Sequence, residues 1–121
     1  MADVRVLVVD DQEPFRRAIA AVVAETDGFV VVGSAISGEE SLTALARLQP
    51  DLVLMDVNLP GIDGIEAARQ MTLSADAPIV VLLSTYDEDD FDLAGCGAAA
   101  YIAKAAFGAD RLAAAWAAAL T

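Results

Sequence analysis

Short, nearly unbroken apolar runs alternate along this chain with longer stretches whose apolar residues recur every three or four positions. "VRVLVV" (4–9) is a β-branched run of the kind that forms a strand buried on both faces of a parallel sheet. Phe15, Ile19, Val22 and Val23 then fall at helical spacing, with Pro14 in the first turn where a helix tolerates it. "FVVVGSA" (29–35) predicts a second strand. Ser37 and Glu40 stand at capping-box spacing ahead of a helix carrying Leu42, Leu45 and Leu48. "DLVLM" (51–55) predicts a third strand, 64–73 a third helix, and "PIVVLLS" (78–84) a fourth strand. A short helix is expected near 88–95 and a weak fifth strand at "AAYIA" (99–103). Leu112, Ala115, Trp116, Ala119 and Leu120 mark a last helix.

Strand and helix thus alternate five times. That rhythm predicts an α/β fold, a parallel sheet covered by helices on both faces through right-handed crossovers. The 121 residues suit one domain, and no linker or low-complexity tract divides them.

Composition narrows the function. With 57% hydrophobic residues the chain can fill a core, yet no apolar stretch is long enough to span a membrane. The start has no signal-peptide pattern, so a cytoplasmic protein is expected. Without histidine, Ser/His/Asp catalysis and the usual zinc sites drop out. Cys96, the one cysteine, is expected to be a small core residue. The net charge of −12 argues against direct nucleic-acid binding, since phosphate backbones would repel the chain.

In open α/β sheets ligands bind beyond the carboxyl ends of the strands. Here those ends carry Asp10 and Asp11, then Asp56, then Ser84 and Thr85, then Lys104. Taken singly, each has an ordinary explanation: a turn-starting aspartate, a strand-ending serine, a surface lysine. Their joint placement calls for another. Crowded carboxylates repel unless a cation intervenes, and oxygen-only ligands favour Mg²⁺ over Zn²⁺. A carboxylate can also attack phosphorus, while lysine and a hydroxyl steady the phosphoryl oxygens.

These residues resemble the receiver domain of two-component response regulators. The resemblance is carried by "VLVVDDQ", "DLVLMDVNLPGIDG", "VVLLST" and "AAAYIAK", and it covers essentially the whole chain, 1–121, as a single receiver domain. "DDQEPFRRAIAAVV" and "LSTYDEDD" look most like the subfamily often fused to a LuxR-type helix-turn-helix. The resemblance implies a doubly wound, flavodoxin-like (βα)5 sheet in order 2-1-3-4-5. It implies Asp56 as acceptor of a phosphoryl group from a sensor histidine kinase. Mg²⁺ would be held by Asp11, Asp56 and the Asn58 backbone carbonyl, with Asp10 acting through water. Lys104 and Ser84 would bind the phosphoryl group. Ser84 and Tyr101 would form a switch pair reaching the face made by the fourth helix, fifth strand and fifth helix, through which a homodimer is possible. A downstream effector domain or protein would read that face, and Asn58 and Tyr86 would tune the acyl-phosphate lifetime. In the "NLPGIDG" loop, Pro60 would stiffen the chain and Gly61 and Gly64 would permit its turns.

Three departures accompany the match. The segment between Ser84 and Lys104 is about two residues short of the family pattern. Ala105 stands where proline is common, and serine replaces the commoner threonine at 84. The shortened segment leaves a second function open, an atypical receiver that binds proteins without phosphorylation. Flavodoxin-like and small phosphatase readings fit poorly, because "DDQEP" opposes flavin phosphate in charge and Gln12 stands where a phosphatase would carry its second aspartate.

Overall fold

The computed structural model describes residues 3–85 and 95–121. Five parallel strands form one sheet in the order β2-β1-β3-β4-β5. They are β1 (Val4–Val9), β2 (Phe29–Ala35), β3 (Leu52–Asp56), β4 (Ile79–Ser84) and β5 (Ala100–Ala103). Four helices are described: α1 (Glu13–Ala24), α2 (Gly38–Leu48), α3 (Gly64–Thr72) and α4 (Ala109–Ala119). A 3-10 turn, Lys104–Ala106, joins β5 to α4. The segment expected to be a short helix near 88–95 lies outside the described residues except Gly95, as do Tyr86 and the acidic run 87–90.

Strand alternation divides the core in two. Leu7, Val9, Val53, Met55, Val80 and Leu82 face α2 and α3, meeting Ala44, Ala67, Ala68 and Met71. Val6, Val8, Leu52, Leu54, Val81 and Leu83 face the other way, meeting Ile19 and Val23 of α1 and Leu112 of α4. Cys96 is buried in the first cluster, a core residue as its composition class suggested. Pro14 sits in the first turn of α1, and the Ser37 hydroxyl accepts the Glu40 N–H at 3.0 Å to cap α2.

Boundaries differ from the sequence pattern where polar atoms decide them. β3 begins at Leu52 because Asp51 is an exposed lead-in whose carboxylate accepts the Arg5 N–H at 2.9 Å. Its other end runs one residue further, so Asp56 is itself in the strand, opposite Leu83. Pro78 has no N–H and precedes β4. Leu120 caps the end of α4 and is 62% exposed, so it lies outside the apolar stripe that its spacing suggested.

The two glycines of the β3–α3 loop act differently. Gly61 has φ 73°, a left-handed turn as expected. Gly64 is not in that region; it is needed for space. A Cβ there would overlap the Asp56 carbonyl oxygen and crowd Val57 Cα. Gly64→Ala is therefore expected to cost about 1–3 kcal/mol, since backbone cannot rotate away as a side chain can. Thermal unfolding should show a midpoint lowered by about 4–12 °C in a chain of this size.

Candidate functional site

Register brings the acidic residues together. In the parallel pairing of β1 with β3, Val9 stands opposite Met55. The next residue on each strand is an aspartate, so Asp10 and Asp56 come side by side. Both continue the even-numbered rows, Val6–Val8 and Leu52–Leu54, that face α1 and α4. Asp11 follows into the loop before α1. Carboxylate oxygens of Asp10, Asp11 and Asp56 all lie within 4.8 Å of one another.

Lys104 is the counter-charge. Its ammonium donates to Asp10 Oδ2 at 2.6 Å and lies 3.5 Å from Asp56 Oδ2. It also sits 3.9 Å from the centre of the Phe15 ring, within cation–π range. Its side chain is 9% exposed, so the lysine is drawn into the site rather than left as a surface charge. Asp10 is fully buried. Its Oδ1 accepts the Gln12 N–H at 2.9 Å, and its main-chain carbonyl accepts from Arg16 Nη1 at 3.0 Å.

Asp56 is 5% exposed. Burial pushes its carboxyl above the ordinary carboxylate range. The Lys104 charge pulls it back in part, Asp10 pushes it up, and the Asn58 backbone N–H pulls it down. The balance remains upward. Asp11, Asp56, Asn58, Thr85 and Lys104 help line a cleft of about 340 Å³ that opens to solvent. Three carboxylates facing one ammonium leave a surplus of negative charge, and every ligand on offer is a hard oxygen. That donor set fits a divalent cation such as Mg²⁺.

The expected site residues thus divide. Asp10, Asp11, Asp56, Asn58 and Lys104 meet at one rim of the sheet. Ser84 is fully buried and continues the row of Val80 and Leu82, on the α2–α3 side; Tyr101 packs against that same cluster. Thr85, the residue after β4, is exposed and lines the cleft. The sequence places Thr85 among the polar strand-end groups and gives the phosphoryl-binding hydroxyl to Ser84. Phe15, read only as a helix core position, forms a wall of the cleft beside Lys104.

Comparison with known proteins gives a consistent result. The family model described as the response regulator receiver domain matches residues 6–117. The chain is 48% identical over 105 residues to response regulator GacA of Pseudomonas viridiflava, an alignment covering 85% of this chain and 49% of that protein. It is 35% identical over 103 residues to the transcriptional regulatory protein LiaR of Bacillus subtilis strain 168, covering 84% and 49% respectively. The chain therefore spans about half the length of these curated relatives. Among solved structures, the signal receiver domain of NarL from Mycobacterium tuberculosis aligns with TM-score 0.89 at 28% identity, covering 99% of this chain and 98% of that one. The response regulator domain of Thermotoga maritima CheB aligns at 0.82 and 26% identity, covering 98% of each. Among the described residues, no helix is long and apolar enough to cross a membrane.

Proposed function

The chain belongs to the response regulator receiver domain family, and from that premise we propose that it is a cytoplasmic, phosphorylation-activated switch with Asp56 as the phosphoacceptor. The observation that carries the reading is the meeting of three aspartates and one buried lysine at a single strand-end cleft. A carboxylate oxygen of Asp56 attacks the phosphorus of a phosphohistidine on a sensor kinase. The new O–P bond forms as the P–N bond breaks, and the departing imidazole takes up a proton. The product is an acyl phosphate on Asp56.

The chain's own groups prepare that transfer. The Lys104 ammonium stands 3.5 Å from Asp56 Oδ2, close enough to move onto a phosphoryl oxygen. Ser84 and Thr85 bring hydroxyls to the neighbouring strand end. Asp11, Asp56 and the Asn58 carbonyl would hold Mg²⁺, with Asp10 acting through water, and the bound ion would neutralise phosphoryl charge. Ser84 and Tyr101 form the switch pair. Movement of Ser84 toward the phosphoryl group would let Tyr101 rearrange and alter the outer face of β5 and α4. A downstream effector domain or protein, or a second copy of the chain, reads that face. The domain itself performs no turnover beyond assisting its own phosphorylation and dephosphorylation.

The test uses acetyl phosphate as a small phosphodonor. Incubation with MgCl2 should raise the intact mass by one phosphoryl group, and excess EDTA should prevent it. A chain that binds Mg²⁺ but never gains that mass would instead be a phosphorylation-independent interaction module.

A further inference from the structure

The loop between β3 and α3 carries Asn58, and two neighbouring residues of α2 grip it from outside. The Glu39 carboxylate accepts the Ile62 N–H at 3.2 Å. It also lies directly against Gly61, where a Cβ would overlap both carboxylate oxygens. Gly38 packs on Ile62 with no room for a Cβ of its own. Two residues beyond Ile62, at the start of α3, Gly64 rests on the Asp56 and Val57 backbone, and its N–H donates to the Val57 carbonyl at 2.8 Å. Asn58 itself bonds through its backbone N–H to Asp56, and beyond it the loop is held by Leu59 and Ile62 packed on the core, by Gly38 against Ile62 and by the Glu39 carboxylate.

We propose that Glu39 is a positioning residue for the cation site, setting the course of the loop and thereby holding the Asn58 main chain beside Asp56. The proposal rests on the reading above, in which Asn58 and Asp56 serve a divalent cation. Side-chain chemistry favours the assignment. An ionised carboxylate only accepts, so its bond to a backbone N–H is charge-assisted and has no competing donor. The same carboxylate fills the space beside Gly61, so the first turn of α2 meets the loop at two successive residues. Glu39 touches neither the cation nor the reacting atoms and acts through the loop alone. Its contact with Ile62 joins residues 23 positions apart, tying the first turn of α2 to the loop just before α3.

A merely structural role has a distinct signature. Glu39 is in the first turn of α2, where a negative charge stabilises the helix through its dipole. That role changes the melting temperature and leaves cation affinity alone. The experiment titrates MgCl2 alone into the 15N-labelled full chain and follows the Asn58 and Ile62 amides. Wild type, Glu39→Gln and Glu39→Ala are compared. Glu39→Ala should weaken Mg²⁺ binding about threefold to tenfold, below the range for a buried outer-shell partner because Glu39 is exposed. The Ile62 amide should shift upfield as its hydrogen bond is lost. Glu39→Gln keeps an acceptor oxygen and should remain within about twofold of wild type. Equal Mg²⁺ affinity in all three proteins overturns the proposal, whatever happens to their melting temperatures. A wild-type chain whose Asn58 amide ignores Mg²⁺ overturns the cation reading itself and this proposal with it.

Discussion

Asp56→Asn is expected to abolish phosphoryl uptake while making the metal-free protein more stable at neutral pH. The first effect follows from chemistry: an amide at this position has no nucleophilic oxygen to offer phosphorus. The second follows from burial. Desolvation holds the Asp56 carboxyl above its ordinary range even though Lys104 lies 3.5 Å away. A carboxyl with a raised folded-state pKa binds more protons folded than unfolded between the two values. Stability therefore falls as pH rises through that window, which begins at the ordinary carboxylate range and ends at the raised value. Above it the penalty is fully present; below it both states are protonated and the penalty vanishes. Asparagine has nearly the same shape and no charge. Melting curves should show the variant ahead of wild type at neutral pH and level with it in acid. Saturating Mg²⁺ should reverse the neutral-pH order, because a cation bound only by the folded state adds about 2.7 kcal/mol at a hundred times its dissociation constant. A variant less stable than wild type at neutral pH without metal would show that the carboxylate is net favourable where it stands.

How much of this was legible beforehand depends on the distance over which each feature is decided. The limits of β1 and β2 follow from unbroken β-branched runs, a local signal. The neighbourhood of Asp10 and Asp56 is also readable, since parallel strands ending in aspartate must bring those residues to one rim. Lys104 is harder. Its position after β5 is plain, but its burial depends on the Asp10 carboxylate and the Phe15 ring, 94 and 89 positions away, closing around one ammonium. Ser84 and Thr85 part where β4 ends: Ser84 is fully buried, and Thr85, the next residue, is exposed at the cleft, a difference set by how the end of β4 packs. Gly64 looks like a turn residue and proves to be a spacer, because nothing in the local sequence announces that α3 starts against the Asp56 carbonyl. The Glu39 contact is decided wholly by how α2 lands on a loop from another part of the chain. Chemistry-bearing residues at strand ends were readable; the groups that orient them were not.

The same arithmetic of buried charge makes Lys104→Met the most damaging single change expected for the resting fold. Methionine approximates the length of the lysine stem but leaves Asp10 without its ammonium. Asp10 is fully buried, and its other carboxylate oxygen accepts the Gln12 N–H at 2.9 Å. Removing one member of a buried ion pair typically costs about 3–5 kcal/mol, because the remaining charge stays desolvated and unpaired. Here a second carboxylate, Asp56, shares the loss, and its repulsion from Asp10 is no longer offset. The melting midpoint should fall by roughly 12–20 °C at neutral pH in a chain of this length. Two further measurements separate charge loss from poor packing. Acidification should narrow the gap to wild type, since a protonated carboxyl needs no counter-ion. MgCl2 should narrow it as well, by returning positive charge to the three aspartates whose oxygens lie within 4.8 Å of one another. A gap that neither acid nor Mg²⁺ changes would mean that the lysine supports the fold through its stem and its contact with Phe15, and that the ammonium contributes little to holding the aspartates together.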